Sequence, residues 1–172
     1  MDWNNREKCV IAVNQDGYAL KHVKEQTSGI CLVAVKNNGY ALQYVKEQTL
    51  EICLAAVRQK GFALEFVKNQ TEEICLEAVK KNGYALQCVK NQTEKICLVA
   101  VEQNRHVLKF VENQTEDICL AAIRQNGYAL QYIKKQTEKI CLEAVKNNGY
   151  ALQFVDKEKF PDIHIYHKLL YS

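Results

Sequence analysis

The stretch Thr71–Gln92, TEEICLEAVKKNGYALQCVKNQ, decides the fold. Near-copies of it recur every 22 residues, as the column Cys9, Cys31, Cys53, Cys75, Cys97, Cys119 and Cys141 marks. Seven units follow one another without insertion, starting near residues 5, 27, 49, 71, 93, 115 and 137 and ending near Glu158. A fixed period of this size is the signature of stacked supersecondary units, each unable to bury its own apolar face alone.

Each unit reads as two short helices. A threonine opens the first (Thr27, Thr49, Thr71, Thr93, Thr115 or Thr137), because its hydroxyl can accept from an otherwise unpaired backbone N–H. Acidic residues follow in the first turn, as at Glu72, Glu73, Glu116 and Asp117, and basic ones close the helix, as at Arg58, Lys80, Lys81 and Arg124. That order suits the helix dipole. A glycine ends the first helix at Gly17, Gly39, Gly61, Gly83, Gly127 and Gly149, with Asn or Asp before it in five of the six turns. The expectation is a left-handed glycine cap and a second helix running back, Tyr84 to Asn91 in the fourth unit. Helices of about ten residues are unstable alone in water, so burial between neighbouring units must hold them.

Twenty-two is also twice eleven, and a continuous helix would keep Ile74 and Ala85, or Ala78 and Val89, on one stripe. Six mid-helix glycines, each costing about 1 kcal/mol against alanine, weigh against that rod. The expected fold is therefore all-α: an α-solenoid of seven helix-turn-helix repeats, about 14 short helices, over residues 1–158. A short C-terminal capping tail over 159–172 follows. Lys8 stands in the first unit where the others have isoleucine, giving a polar outer side, and Trp3 is placed to fold over that end. Pro161 stops the last helix, and Ile163, Ile165, Tyr166, Leu169 and Leu170 are expected to form a lid.

Composition bounds the chemistry. The chain has 172 residues, 48% hydrophobic and 25% charged, with a formal net charge of +3, the balance of a globular protein. No apolar run is long enough to span a bilayer, so no membrane partner is expected. The start, MDWNNREKCV, lacks the apolar core of a secretory signal. With eight cysteines, that points to a reducing, cytoplasmic setting rather than secretion. The sequons at Asn69, Asn91 and Asn113 then read as coincidence, their threonines serving as helix caps. The cysteine column reads as core, since thiols pack as small hydrophobes and equivalent positions in adjacent units lie too far apart to bridge.

No phosphate loop, nucleophile elbow or zinc-protease motif occurs. Nothing here calls for a cofactor or a metal. His164 and His167 lack further ligands, and His22 and His106 occupy aromatic positions of the repeat. A near-uniform array does not supply the unique convergent constellation an active site needs, so the chain is not expected to be an enzyme. The candidate interaction surface is the lysine column Lys24, Lys46, Lys68, Lys90 and Lys134 together with Arg105 and His106 of the fifth unit, where they replace glycine and the aromatic. A second basic column contains Lys36, Arg58, Lys80, Arg124 and Lys146. Aromatic residues Tyr44, Phe66, Phe110, Tyr132 and Phe154 lie alongside. Two readings compete: binding of nucleic acid by phosphate contact and stacking, or lysines that close helices and aromatics that bury between units. The near-neutral charge favours the second. A non-catalytic scaffold for protein–protein interaction is the first expectation. Nucleic-acid binding and end-to-end self-association are the alternatives.

The string I-C-L-x-A-V-K-x-N-G-Y-A-L-Q-Y-V-K, as at Ile30–Lys46 and nearly so at Ile140–Val155, resembles a 22-residue helical repeat family classed as a domain of unknown function and prominent in mimivirus-type giant DNA viruses. The resemblance covers all seven units and implies a protein acting in the host cytoplasm or the virion. No activity is assigned to that family, so no functional residues carry over.

Overall fold

A computed structural model describes residues 3–165. Among them seven α-helices alternate with seven 3₁₀ helices, a further helical turn covers 161–165, and there is no strand. The α-helices are α1 (Arg6–Gln15), α2 (Ser28–Asn37), α3 (Leu50–Gln59), α4 (Glu72–Lys81), α5 (Glu94–Gln103), α6 (Glu116–Gln125) and α7 (Glu138–Asn147). The chain groups into two compact units, Met1–Asn91 with α1–α4 and Gln92–Ser172 with α5–α7. Within each, repeats stack side by side, α-helix on α-helix and 3₁₀ helix on 3₁₀ helix, as an all-α repeat solenoid. No helix is long and apolar enough to cross a membrane among the described residues.

Caps set the helix starts as the sequence predicts. Thr27, Thr49, Thr71, Thr93, Thr115 and Thr137 each accept from the backbone N–H three residues on, at 3.3–3.4 Å, satisfying one orphan donor. Asn5 does the same for α1 at 3.0 Å. The core is then one column per position. Ala34, Ala56, Ala78, Ala100, Ala122 and Ala144 are fully buried, as are Leu20, Leu42, Leu64, Leu86, Leu108 and Leu130 of the 3₁₀ helices. Each such leucine contributes about 1.5–3 kcal/mol by leaving water.

The return segment differs from the expected α-helix Tyr84–Asn91. It is a six-residue 3₁₀ helix, Gly83–Cys88 in the fourth repeat, closed by bonds such as Ala85 N–H to Asn82 O at 2.8 Å and Val89 N–H to Leu86 O at 3.1 Å. The chain beyond it is extended, with Val89 at φ −77° and ψ 121°. The physical cause lies in the preceding repeat. Gln70 takes up both the Cys88 carbonyl and the Lys90 N–H, so the backbone there bonds sideways instead of continuing a helix.

The glycines also act otherwise than expected. None has a positive φ among the described residues, so the left-handed cap is absent. Instead the residue before the 3₁₀ helix is extended, and except at Lys60 its side chain caps that helix: Asp16, Asn38, Asn82, Asn126 and Asn148 before glycines, and Asn104 before Arg105, accept from the N–H two residues on, at 2.8–3.1 Å. Glycine is needed for closeness. A Cβ on Gly17 or Gly39 would lie 2.5 Å from the Ala34 or Ala56 carbonyl oxygen of the next repeat.

Only part of each expected end cap falls within the described residues. Trp3 stacks on His22 with centroids 5.1 Å apart and accepts from the Cys9 thiol through its carbonyl at 3.4 Å. His22 itself stays exposed, so it packs on one ring only. Residues 161–165 are helical and Ile163 is buried, but Ile165 is 56% exposed. Of the two described isoleucines of the expected lid, the helical turn points only Ile163 inward. The other lid residues, Tyr166, Leu169 and Leu170, and also His167, lie outside the described residues.

Two glycines test the close-approach argument. Gly39→Ala is expected to destabilise by about 1–3 kcal/mol, because backbone must move. Gly29→Ala, in the first turn of α2 with nothing within 4 Å of the added Cβ, is expected to stabilise by about 0.5–1 kcal/mol. Urea denaturation of both variants decides it; equal effects would refute the packing role of Gly39.

Candidate interaction surface

The polar residues of the repeat divide into those that hold the stack together and those that do not. The first group centres on a glutamine that sequence reading passes over as a linker. Gln26, Gln48 and Gln70 in the first unit, and Gln92, Gln114 and Gln136 in the second, each donate Nε2–H to a backbone carbonyl of the next repeat at 2.8–3.1 Å. Each Oε1 accepts a backbone N–H of that repeat, two residues further on, at 2.9–3.4 Å. One primary amide thereby satisfies a donor and an acceptor that the extended segment would otherwise leave unpaired.

The cysteine column completes this amide. Cys31, Cys53, Cys75, Cys97 and Cys141 are buried and their thiols donate to the Oε1 of Gln26, Gln48, Gln70, Gln92 and Gln136 at 3.4–3.8 Å. The core role expected for these thiols holds, with a weak hydrogen bond added. All eight cysteines are free, and Cys88 is half-buried. Burial pushes the thiol pKa up at Cys31, Cys53, Cys75 and Cys88, and to about 11 at Cys97, Cys119 and Cys141, where Glu112 and Glu94, Glu116, and Asp156 respectively add to the effect. Such thiols are poor nucleophiles.

A second amide ladder sits at the other end of the α-helices. Asn37 Oδ1 accepts from Gly17 N–H at 2.8 Å and its Nδ2–H donates to Asn14 O at 2.7 Å. Gln59 serves Gly39 and Asn37 in the same way, and Asn147 serves Gly127 and Arg124.

The lysine column belongs to the stack as well. Lys46, Lys68 and Lys90 are exposed, yet each ammonium donates to the backbone carbonyl of the lysine one repeat earlier, Lys24, Lys46 and Lys68, at 2.8–3.4 Å. Lys134 reaches the Val111 and Glu112 carbonyls at 2.8 and 3.5 Å. These ammonium groups lean onto the protein's own backbone rather than outward. The aromatic residues are also internal contacts. Tyr18 meets Tyr44, Tyr40 meets Phe66 and Tyr128 meets Phe154 edge to face, with centroids 5.3–6.1 Å apart.

Arg105 and His106 adapt the fifth repeat to the same scheme. The Arg105 N–H keeps the amide contact, to Gln125 Oε1 at 3.2 Å. Its Cβ occupies the position where glycine allows close approach, and the Asn126 N–H to Ala122 O bond opposite is 3.3 Å, against 2.9 Å at Asn38, Lys60 and Asn148. His106 replaces a tyrosine in the ring contact, its centroid 5.5 Å from that of Tyr132, and its Nδ1 is 2.9 Å from the Tyr132 hydroxyl. His164 Nε2 is 3.3 Å from Val155 O. No group of three metal-ligating side chains occurs among the described residues.

The repeats differ most on the outer face of the α-helices. Three of its columns change from repeat to repeat: Glu7, Gly29, Glu51, Glu73, Lys95, Asp117, Lys139; then Ile11, Val33, Ala55, Glu77, Val99, Ala121, Glu143; then Asn14, Lys36, Arg58, Lys80, Glu102, Arg124, Lys146. The core alanine and leucine columns do not change. In the first unit this face exposes Ile11 (55%). It also carries an open groove between α2 and α3, lined by Leu32, Lys36, Glu51, Leu54, Ala55, Arg58 and Gln59. Arg58 and Lys80 both pair with Glu77, at 2.8 and 3.2 Å, and these bonds hold the Glu77 carboxyl below its ordinary pKa.

A family model described as Domain of unknown function (DUF4116) matches residues 29–71, 49–93, 71–114 and 115–158, well over half of the chain. No curated protein and no solved structure matches.

Two measurements check the ladder. Gln70→Ala is expected to cost about 2–3 kcal/mol in urea, since it strips partners from at least two backbone groups. A change under about 0.5 kcal/mol would contradict the bridging role. In a thiol-titration assay at pH 8, the column cysteines are expected to react slowly until guanidinium unfolds the chain, with Cys88 reacting first. Because the folded pKa values of Cys31, Cys53, Cys75, Cys97, Cys119 and Cys141 are raised, unfolding releases thiol protons above pH 9, and stability is expected to fall as the pH rises from 9 towards 11.

Proposed function

We propose that this chain, which belongs to the DUF4116 family, is a non-catalytic scaffold that binds protein segments on the outer face of its α-helices. The observation that supports it is the division of labour among the polar columns. The amide, threonine and lysine columns are committed to the stack, whereas the columns that vary between repeats lie on one exposed face beside an apolar groove. A surface that varies independently of the core is what a binding array requires.

The two alternatives lose support. Phosphate binding would draw on the lysine column, but four of its five ammonium groups hydrogen-bond backbone carbonyls. End-to-end assembly would need open ends, yet Trp3 stacks over the first repeat and Ile163 is buried after the last. The setting that goes with the scaffold reading is a reducing one, the host cytoplasm of a giant virus, where free thiols persist.

Selection from a random peptide-display library tests the reading. Enrichment of a shared peptide pattern, with binding largely insensitive to salt between 50 and 200 mM, is the expected result. Failure to enrich any pattern over an irrelevant helical protein would overturn it. So would single-stranded nucleic acid binding that falls by orders of magnitude over the same salt range.

A further inference from the structure

We infer that the groove between α2 and α3 takes a short amphipathic helix, running antiparallel to them, with an acidic residue near its start, a leucine-type anchor in the middle and a basic residue about two turns on. This rests on the scaffold reading and names the partner's chemistry.

The groove has a direction. Glu51 lies in the first turn of α3, and Lys36 and Arg58 lie level with each other in the last turns of α2 and α3. Leu32, Leu54 and Ala55 form the floor between these ends. Neither Lys36 nor Glu51 has a hydrogen-bond or ion-pair partner among the described residues, and both are exposed. An occupant therefore meets cations at one end, a carboxylate at the other and an apolar dip over Ala55. Glu51 and Arg58 are seven residues apart on one helix, about 10.5 Å at 1.5 Å per residue. A helical ligand matches that span with opposite charges seven residues apart and an apolar residue three or four from each. Its orientation follows from the dipole: an acidic residue is favourable at a helix N-terminus and a basic one at a C-terminus. Seating the acidic end over Lys36 and Arg58, at the C-terminal ends of α2 and α3, lays the ligand antiparallel, with opposed dipoles.

No other described pair of neighbouring α-helices within a unit combines these features. Between α1 and α2, Asn14 stands in the place of Lys36 and Val33 in that of Ala55. Between α3 and α4, and between α6 and α7, Glu77 and Glu143 occupy the apolar column. Between α5 and α6, Glu102 cancels Arg124. The same comparison supplies safe variants. Ala55→Glu, Lys36→Glu and Glu51→Lys each install a residue that another repeat already carries in that column, at Glu77, Glu102 and Lys95, so the fold has room for them.

The test is fluorescence anisotropy of two lactam-stapled 14-residue helices against the full chain at low salt: one with Glu, Leu and Lys at positions i, i+3 and i+7, the other with the two charges exchanged. The first is expected to bind about five-fold more tightly, the preference two exposed ion pairs of ordinary strength provide. The Lys36→Glu, Glu51→Lys double variant is expected to abolish the first helix's advantage, because a glutamate beside Arg58 cancels the charge at that end, and Ala55→Glu to remove both interactions. Equal affinities for the unaltered chain, absence of binding, or binding that survives Ala55→Glu would overturn the inference. If library-selected peptides bind but are unaffected by Ala55→Glu, the scaffold reading stands and this groove is not its site; if the library yields nothing, both fall.

Discussion

Everything in this fold depends on a primary amide that faces two ways. A ten-residue helix and a six-residue 3₁₀ turn leave many backbone groups without local partners. In each repeat a glutamine supplies an acceptor and a donor to the following repeat within about 3 Å. Replacing it by glutamate would put a charge where a carbonyl must be met, and by leucine would leave both groups dry. The neutral amide is the side chain that serves both at once. The thiol beneath it fills the remaining space and donates weakly to the same oxygen, which gives the cysteine column a reason beyond hydrophobic size.

Once repeats are clamped at that distance, the residue at the turn has little freedom. Glycine stands where the next repeat's alanine carbonyl comes closest, and the backbone there needs no unusual dihedral. Arg105 shows what a side chain at that position entails. The neighbouring helix end lengthens its last hydrogen bond to 3.3 Å, and the Arg105 Nε is buried without a hydrogen-bond partner among the described residues. The amide contact from Gln125 persists all the same, so the scheme bends at the fifth repeat without breaking.

The architecture was legible in residues that act locally. Threonine caps, the charge order along α3, α4, α6 and α7 and the 22-residue period depend on neighbours in sequence, and they read correctly. The second helix did not, because its length is set from outside. The residues Val89–Lys90 have ordinary helical character, but Gln70, some 20 positions earlier, draws their backbone away. The glycines suggested a left-handed cap because Asn-Gly commonly makes one; the close approach that requires them here is visible only in three dimensions. The lysine column looked like a surface for the same reason. Exposure was rightly expected, but the carbonyl each ammonium meets belongs to the previous repeat. The groove on the outer face was the least legible part, since it arises from differences between repeats that a search for regular columns averages away.

Those differences carry a consequence for how such an array acquires specificity. In a single-core domain, an exposed residue commonly shares packing with buried ones, so altering a binding surface perturbs stability. Here the polar groups that hold repeats together occupy columns distinct from the outer α-helical columns, and the outer columns already tolerate Glu, Lys, Ala and Val at equivalent places. Stability is thus a property of the invariant columns, and on the proposed scaffold reading recognition falls to the variable ones, coupled where an outer residue also forms a bridge between repeats, as Glu77 does with Arg58. A chain built this way can exchange the charge on any groove rim one repeat at a time, and the position of Ala55 between Lys36, Arg58 and Glu51 is one combination among those the same scaffold supports.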